Sequence, residues 1–134
     1  MTKKILIIDD DKHIVELLTY NLEKAGFSCT GTLDGNNILE LAKVVKPDAI
    51  LLDLMLPGLS GLDILLLLKR NMRLSKIPVI IISALSQRDR IDNSFKLGAC
   101  EYVIKPFSIV ELIHLIDKTV KKSLNCFNLD LTYK

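Results

Sequence analysis

Short apolar runs alternate with longer segments of helical spacing five times along this chain. Residues 5–8, 49–52 and 79–82 are continuously apolar (Ile5-Leu6-Ile7-Ile8, Ala49-Ile50-Leu51-Leu52 and Val79-Ile80-Ile81-Ile82). Continuous rather than alternating runs suit strands covered on both faces, as in parallel sheets. Tyr102-Val103-Ile104 is a fifth, shorter run, and Ser28-Cys29-Thr30-Gly31-Thr32 is a more polar second one, suited to a strand near an edge. Between the runs, Ile14, Leu17, Leu18 and Leu22 share one face of a helix that Asp11 caps and Gly26 ends. Ile38, Leu41, Ala42 and Val45 do the same before Pro47. Leu62, Leu65, Leu66 and Lys69 start a third helix, and Ile91, Phe95 and Leu97 mark a fourth before Gly98. Ile109, Leu112, Ile113, Ile116 and Val120 form the last, with Ser108 and Glu111 spaced as a capping box. Five strand–helix alternations predict an α/β fold, a doubly wound parallel sheet with helices on both faces. An all-helical bundle would have to make the β-branched run at 79–82 helical.

Composition narrows the class. With 134 residues, 49% of them hydrophobic, the chain is expected to form one domain with a real core. Eighteen basic against sixteen acidic residues leave a net charge of +2, without the basic footprint of a nucleic-acid module. No apolar run is long enough for a signal-peptide core or a membrane span, so a cytoplasmic location is expected. Cys29, Cys100 and Cys126 have no metal spacing and read as buried or incidental thiols.

Candidate chemistry comes from the residues at the end of each strand. Ligands of open parallel sheets sit at the carboxyl ends of the strands. There the chain places Asp9, Asp10 and Asp11, then Asp53, then Ser83, then Lys105. Crowded carboxylates need a compensating cation, and an all-oxygen site with room for water and a phosphoryl group favours Mg²⁺. Asp53, alone at the end of a buried strand, is the candidate nucleophile on phosphorus. Asp10 is the candidate metal ligand, with Asp9 supporting, and Lys105 the cation facing the phosphoryl oxygens. Taken singly, each has an ordinary structural explanation, such as a helix cap, a turn or a solvated charge. Their joint placement at four of five strand ends is what carries the reading.

These residues resemble the receiver domain of bacterial response regulators. The resemblance runs through Ile7-Ile8-Asp9-Asp10-Asp11, Asp48 to Gly58, Pro78 to Ala84, Gly98-Ala99 and Tyr102-Val103-Ile104-Lys105-Pro106-Phe107, in order over about residues 3–122. It implies a flavodoxin-like (βα)5 fold with strand order 2-1-3-4-5. It implies Mg²⁺-dependent transfer of a phosphoryl group to Asp53 from the phosphohistidine of a histidine kinase or phosphotransfer protein. The metal would be held by Asp10, Asp53 and the backbone carbonyl of Met55, with Asp9 supporting. Ser83 would bond the phosphoryl oxygen, Lys105 would pair with it, and Tyr102 would turn inward as Ser83 moves. Ala84, being small, would leave the phosphoryl group open to water. The Lys105–Pro106 bond would be cis. The domain is then a signalling phosphoacceptor, catalysing only its own phosphorylation and dephosphorylation.

The chain departs from the family in places. Ser83 stands where threonine is also common. Ile91, Cys100 and Leu115 stand where winged-helix regulators carry the charges of a homodimer built on the fourth helix, fifth strand and fifth helix, although Glu101, Glu111 and Lys122 could still pair there. Residues 1–122 are expected to be the receiver domain, and 123–134 a tail or the start of a linker to an effector domain. Such an effector could bind DNA. The receiver itself is expected to bind neither DNA nor membrane. The sequence leaves two rival readings. One is a Mg²⁺-dependent phosphatase of haloacid-dehalogenase type, which would place its nucleophile after the first strand. The other is a degenerate receiver that only binds partners.

Overall fold

The computed structural model describes the backbone of residues 2–133 and the side chains as far as Lys122. Strands β1 (Lys4–Ile8), β2 (Ser28–Thr32), β3 (Ala49–Leu52), β4 (Val79–Ser83) and β5 (Glu101–Ile104) alternate with helices α1 (Lys12–Lys24), α2 (Ile38–Val45), α3 (Gly61–Arg70), α4 (Arg88–Lys96) and α5 (Ile109–Tyr133). All pairings are parallel, in the order β2-β1-β3-β4-β5. The polar second strand is an edge, in keeping with its composition.

Strand pleating explains the continuous apolar runs. Successive side chains point to opposite faces, so Leu6, Ile8, Ile50, Leu52, Val79 and Ile81 pack under α2 and α3, against Ile38, Ala42, Ile64, Leu65 and Leu68. Ile5, Ile7, Ala49, Leu51, Ile80 and Ile82 pack on the other face against Leu18 and Leu22 of α1 and Leu112, Ile116 and Val120 of α5. With both faces covered, every position of β3 and β4 is buried. Among the described residues, no helix is long and apolar enough to cross a membrane.

Several local expectations are corrected. The buried face of α3 is Gly61, Ile64, Leu65 and Leu68, so Leu67 of the leucine run stands 40% exposed. In α4 the one buried residue is Ser94, whose hydroxyl donates back to Arg90 O at 2.9 Å. Phe95 is instead 43% exposed. Ser83 ends β4 rather than succeeding it. The α5 backbone runs helical to Tyr133, past the point where its apolar pattern fades. The reading of 123–134 as a tail rests on side chains outside the described residues, as does Cys126.

Cys100 is exposed, the incidental one of the two readings. Cys29, on β2, is half-buried, and burial, aided by the nearby Glu23 carboxylate, pushes its thiol up to about 11. Its folded form keeps a proton that the unfolded thiol sheds from its ordinary 9.0. This contribution to stability is therefore complete below pH 9 and is lost as pH rises towards 11. Each unit of pKa is a tenfold change in thiolate at neutral pH, and the thiolate is the reactive form. Alkylation of Cys29 by iodoacetamide at pH 8 is expected to be about a hundredfold slower in the native protein than in urea. The modified peptide's mass reads the rate, and equal rates would contradict the burial.

Candidate functional site

The sheet ladder extends one residue past its strands and so fixes the site. Asp53 N–H donates to Ile8 O at 2.9 Å, Asp9 N–H to Thr32 O at 3.2 Å, and Lys105 N–H to Ser83 O at 2.8 Å. Asp53 thus emerges from the buried centre of the sheet with its backbone held by β1. Its side chain is buried, and its Oδ1 accepts from Met55 N–H at 3.0 Å. Asp9 is also buried, and its Oδ1 accepts from Asp11 N–H at 2.9 Å. Asp11 itself caps α1, accepting from His13 N–H at 2.9 Å.

The remaining oxygens of the two buried carboxylates meet one ammonium. Lys105 Nζ lies 2.8 Å from Asp9 Oδ2 and 3.1 Å from Asp53 Oδ2. Burial pushes the Lys105 ammonium down. Its hydrogen bonds to Asp9 and Asp53, and their charges, outweigh this and leave it above its ordinary 10.5. Asp10 is exposed at the rim, and one carboxylate oxygen from each of Asp9, Asp10 and Asp53 falls within 4.8 Å of the others. Three carboxylates against one ammonium leave two negative charges uncompensated. An all-oxygen donor set with that excess fits a hard divalent cation.

Around this centre, Met55 is 54% exposed and Ala84 is exposed. Ser83 is fully buried, and its Oγ accepts from Leu85 N–H at 3.2 Å. Tyr102 is half-buried and its Oη donates to Leu85 O at 2.6 Å. Burial first, then the Asp53 charge, hold the phenol above its ordinary 10.0, although a hydrogen bond with Ser83 pulls the other way. Tyr102 and Ser83 therefore both engage Leu85 in the loop after β4. The Lys105–Pro106 peptide bond is cis.

Two supporting residues escaped the sequence reading. Gly61, the first residue of α3, has no room for a Cβ, which would meet Asp53 O and Leu54 Cα. Its N–H donates to Leu54 O at 3.0 Å, so it closes the loop that carries Asp53. Ser60 caps α3, its Oγ accepting from Asp63 N–H at 3.3 Å and donating to Asp63 Oδ2 at 3.0 Å. The Ser60-to-Asp63 spacing was a readable signal, whereas the crowding at Gly61 requires the folded backbone.

A sequence model described as the response regulator receiver domain matches residues 5–117. The chain is 39% identical over 121 residues to the DNA-binding dual master transcriptional regulator RpaA of Synechocystis sp., covering 90% of this chain and 50% of that protein. It is 36% identical over 125 residues to the alkaline phosphatase synthesis transcriptional regulatory protein PhoP of Bacillus subtilis, covering 92% and 50%. It spans about half the length of these curated relatives. Among solved structures, the Francisella response regulator 1452 receiver domain superposes with a TM-score of 0.84 at 34% identity, over 91% of this chain and 99% of that one.

Proposed function

The chain belongs to the response regulator receiver domain family, and on that premise we propose that Asp53 is the phosphoacceptor of a two-component switch. The observation that carries this is Lys105 shared between the buried Asp9 and Asp53, with Asp10 alongside. In transfer, an Asp53 carboxylate oxygen forms the new O–P bond as the N–P bond of a phosphohistidine breaks. The departing imidazole keeps the electron pair and takes up a proton. Asp10, Asp53 and the Met55 carbonyl, with Asp9 supporting, would hold Mg²⁺, which would supply positive charge against the phosphoryl oxygens. Lys105 gives up its bond to Asp53 for the new phosphoryl group. The Ser83 hydroxyl exchanges Leu85 N–H for a phosphoryl oxygen, and Tyr102 leaves Leu85 O to turn inward. The small Ala84 leaves water a path, so the domain loses its phosphoryl group by its own hydrolysis. Incubation with Mg²⁺ and acetyl phosphate tests the reading. One hydroxylamine-labile phosphoryl mass is expected, and an unmodified mass would sink it.

The partner in this reading is a histidine kinase or phosphotransfer protein in the cytoplasm. Residues 1–122 are the receiver, and 123–134 are a tail or the start of a linker to an effector; both curated relatives are transcriptional regulators. Output is a shift of the α4-β5-α5 surface between two states. A homodimer through that surface would be more apolar than one held by charges, because Ile91 and Leu115 are half-buried there and Cys100 exposed. The phosphatase alternative has no support. Its nucleophile would come after β1, and here the residue two after Asp53 is Met55.

The excess of negative charge gives a prediction for Asp10→Asn. Relief of like-charge crowding is expected to stabilise the metal-free protein by about 1 kcal/mol. The same change should remove most of the rise in Tm that millimolar Mg²⁺ gives the unaltered protein. Thermal unfolding monitored by circular dichroism reads both. A variant that lost stability without metal, or kept the full Mg²⁺ response, would remove Asp10 from the cation site.

A further inference from the structure

A cleft lies at the opposite end of the sheet, where the strands begin. Buried Ala42 of α2, Pro47 before β3 and Leu74 before β4, with half-buried Ile77, floor this cleft of about 250 Å³. Its rim is Lys43, Lys46 and Arg73. None of these three cations makes an ion pair among the described residues, and no carboxylate lines the cleft.

Helix dipoles account for part of this. Cations are favoured near helix C-termini, and Lys43 lies in the last turn of α2. They do not account for the rest. Arg73 lies beyond α3, which ends at Arg70. Lys46 is in the left-handed region, with φ 53° and ψ 59°, at a helix end where glycine or asparagine would sit without strain. Its N–H bond to Ala42 O at 2.9 Å holds it there. A long cationic side chain is thus kept at a backbone position that disfavours it, a pattern that clusters at functional sites.

We propose that this cleft docks an acidic peptide segment of a partner protein, one apolar side chain entering the Ala42, Pro47, Leu74 and Ile77 floor while flanking carboxylates meet Lys43, Lys46 and Arg73. The cleft is smaller than the roughly 300 Å³ or more typical of small-molecule sites, which suits a side chain rather than a cofactor. The absence of an aromatic platform from its lining disfavours single-stranded nucleic acid. Charge complementarity selects an acidic partner over a basic one. The site stands apart from Asp53, so its failure would leave the phosphoacceptor reading intact.

The probe is a blocked hexapeptide with a Leu-Phe centre flanked by two acidic residues on each side, titrated into ¹⁵N-labelled protein. Saturable amide shifts confined to residues 42–46 and 73–77 are expected, weakening with salt. The double variant Lys43→Glu/Arg73→Glu should weaken binding at least about tenfold while still taking up phosphoryl from acetyl phosphate. Lys46→Asn sharpens the test. Relief of the left-handed strain should raise its Tm, whereas loss of the cation should weaken the peptide. Unchanged peptide affinity in both variants would overturn the proposal. So would equal shifts with a peptide carrying amides in place of the acids, tighter binding of a short DNA duplex at the same residues, or concentration-dependent self-association through them.

Discussion

Asp53→Asn is expected to abolish phosphoryl uptake from acetyl phosphate, by at least about a thousandfold, because in the proposed function the attacking oxygen is lost from a preorganised site. An amide oxygen is uncharged and weakly nucleophilic, and its NH₂ is a donor where Lys105 now needs an acceptor. The loss should not come from unfolding. Asp9 keeps its 2.8 Å bond to Lys105, and one charge leaves a site that carries too many. The backbone bond from residue 53 to Ile8 O is untouched by the side-chain change. Asp53→Asn should therefore show a native amide spectrum and a Tm no lower than that of the unaltered protein. Intact mass after incubation with Mg²⁺ and the phosphodonor reads the chemistry. A phosphoryl mass of normal yield in Asp53→Asn would move the acceptor to Asp9 or Asp10.

The sheet was legible because two-sided burial leaves a plain mark. Ile5-Leu6-Ile7-Ile8 must satisfy α1 and α5 with one pair of side chains and α2 and α3 with the other, so no position can be polar. The site was legible for a related reason. A parallel sheet brings all its strand ends to one edge, so Asp9, Asp53, Ser83 and Lys105 had to gather once the strands were placed. What stayed hidden depends on packing in three dimensions. The core-facing residue of α4 is Ser94, which hydropathy would put outside. Leu54 and Leu74 are buried in loops that no periodicity marks. Tyr102 donates to Leu85 O from 17 residues away, and the same residue's N–H donates to Ser83 Oγ. Spacing alone carries no trace of it.

Lys105→Met should be the most destabilising change at the site. Methionine keeps much of the stem but removes the ammonium that faces two buried oxygens, Asp9 Oδ2 and Asp53 Oδ2. Removing one partner of a buried ion pair costs about 3–5 kcal/mol. The Lys105 side chain is 19% exposed, so water reaches the centre and the lower end, about 3 kcal/mol, is expected. The same contacts set the sign with pH. The folded ammonium titrates above its ordinary 10.5, so its contribution is complete below that value and is lost as pH rises past it. The deficit of Lys105→Met should therefore be full at pH 7 and shrink in strong alkali. Millimolar Mg²⁺ should recover more stability in Lys105→Met than in the unaltered protein, because the added cation takes over charge that lysine had balanced. Phosphoryl uptake should fall about a hundredfold, the scale of losing one charged contact to the transferring group. Urea unfolding at pH 7, with and without Mg²⁺, measures the stability arm. A Lys105→Met protein as stable as the original in metal-free buffer would mean that Asp9 and Asp53 do not depend on this ammonium, and the electrostatic account of the site would fail with it.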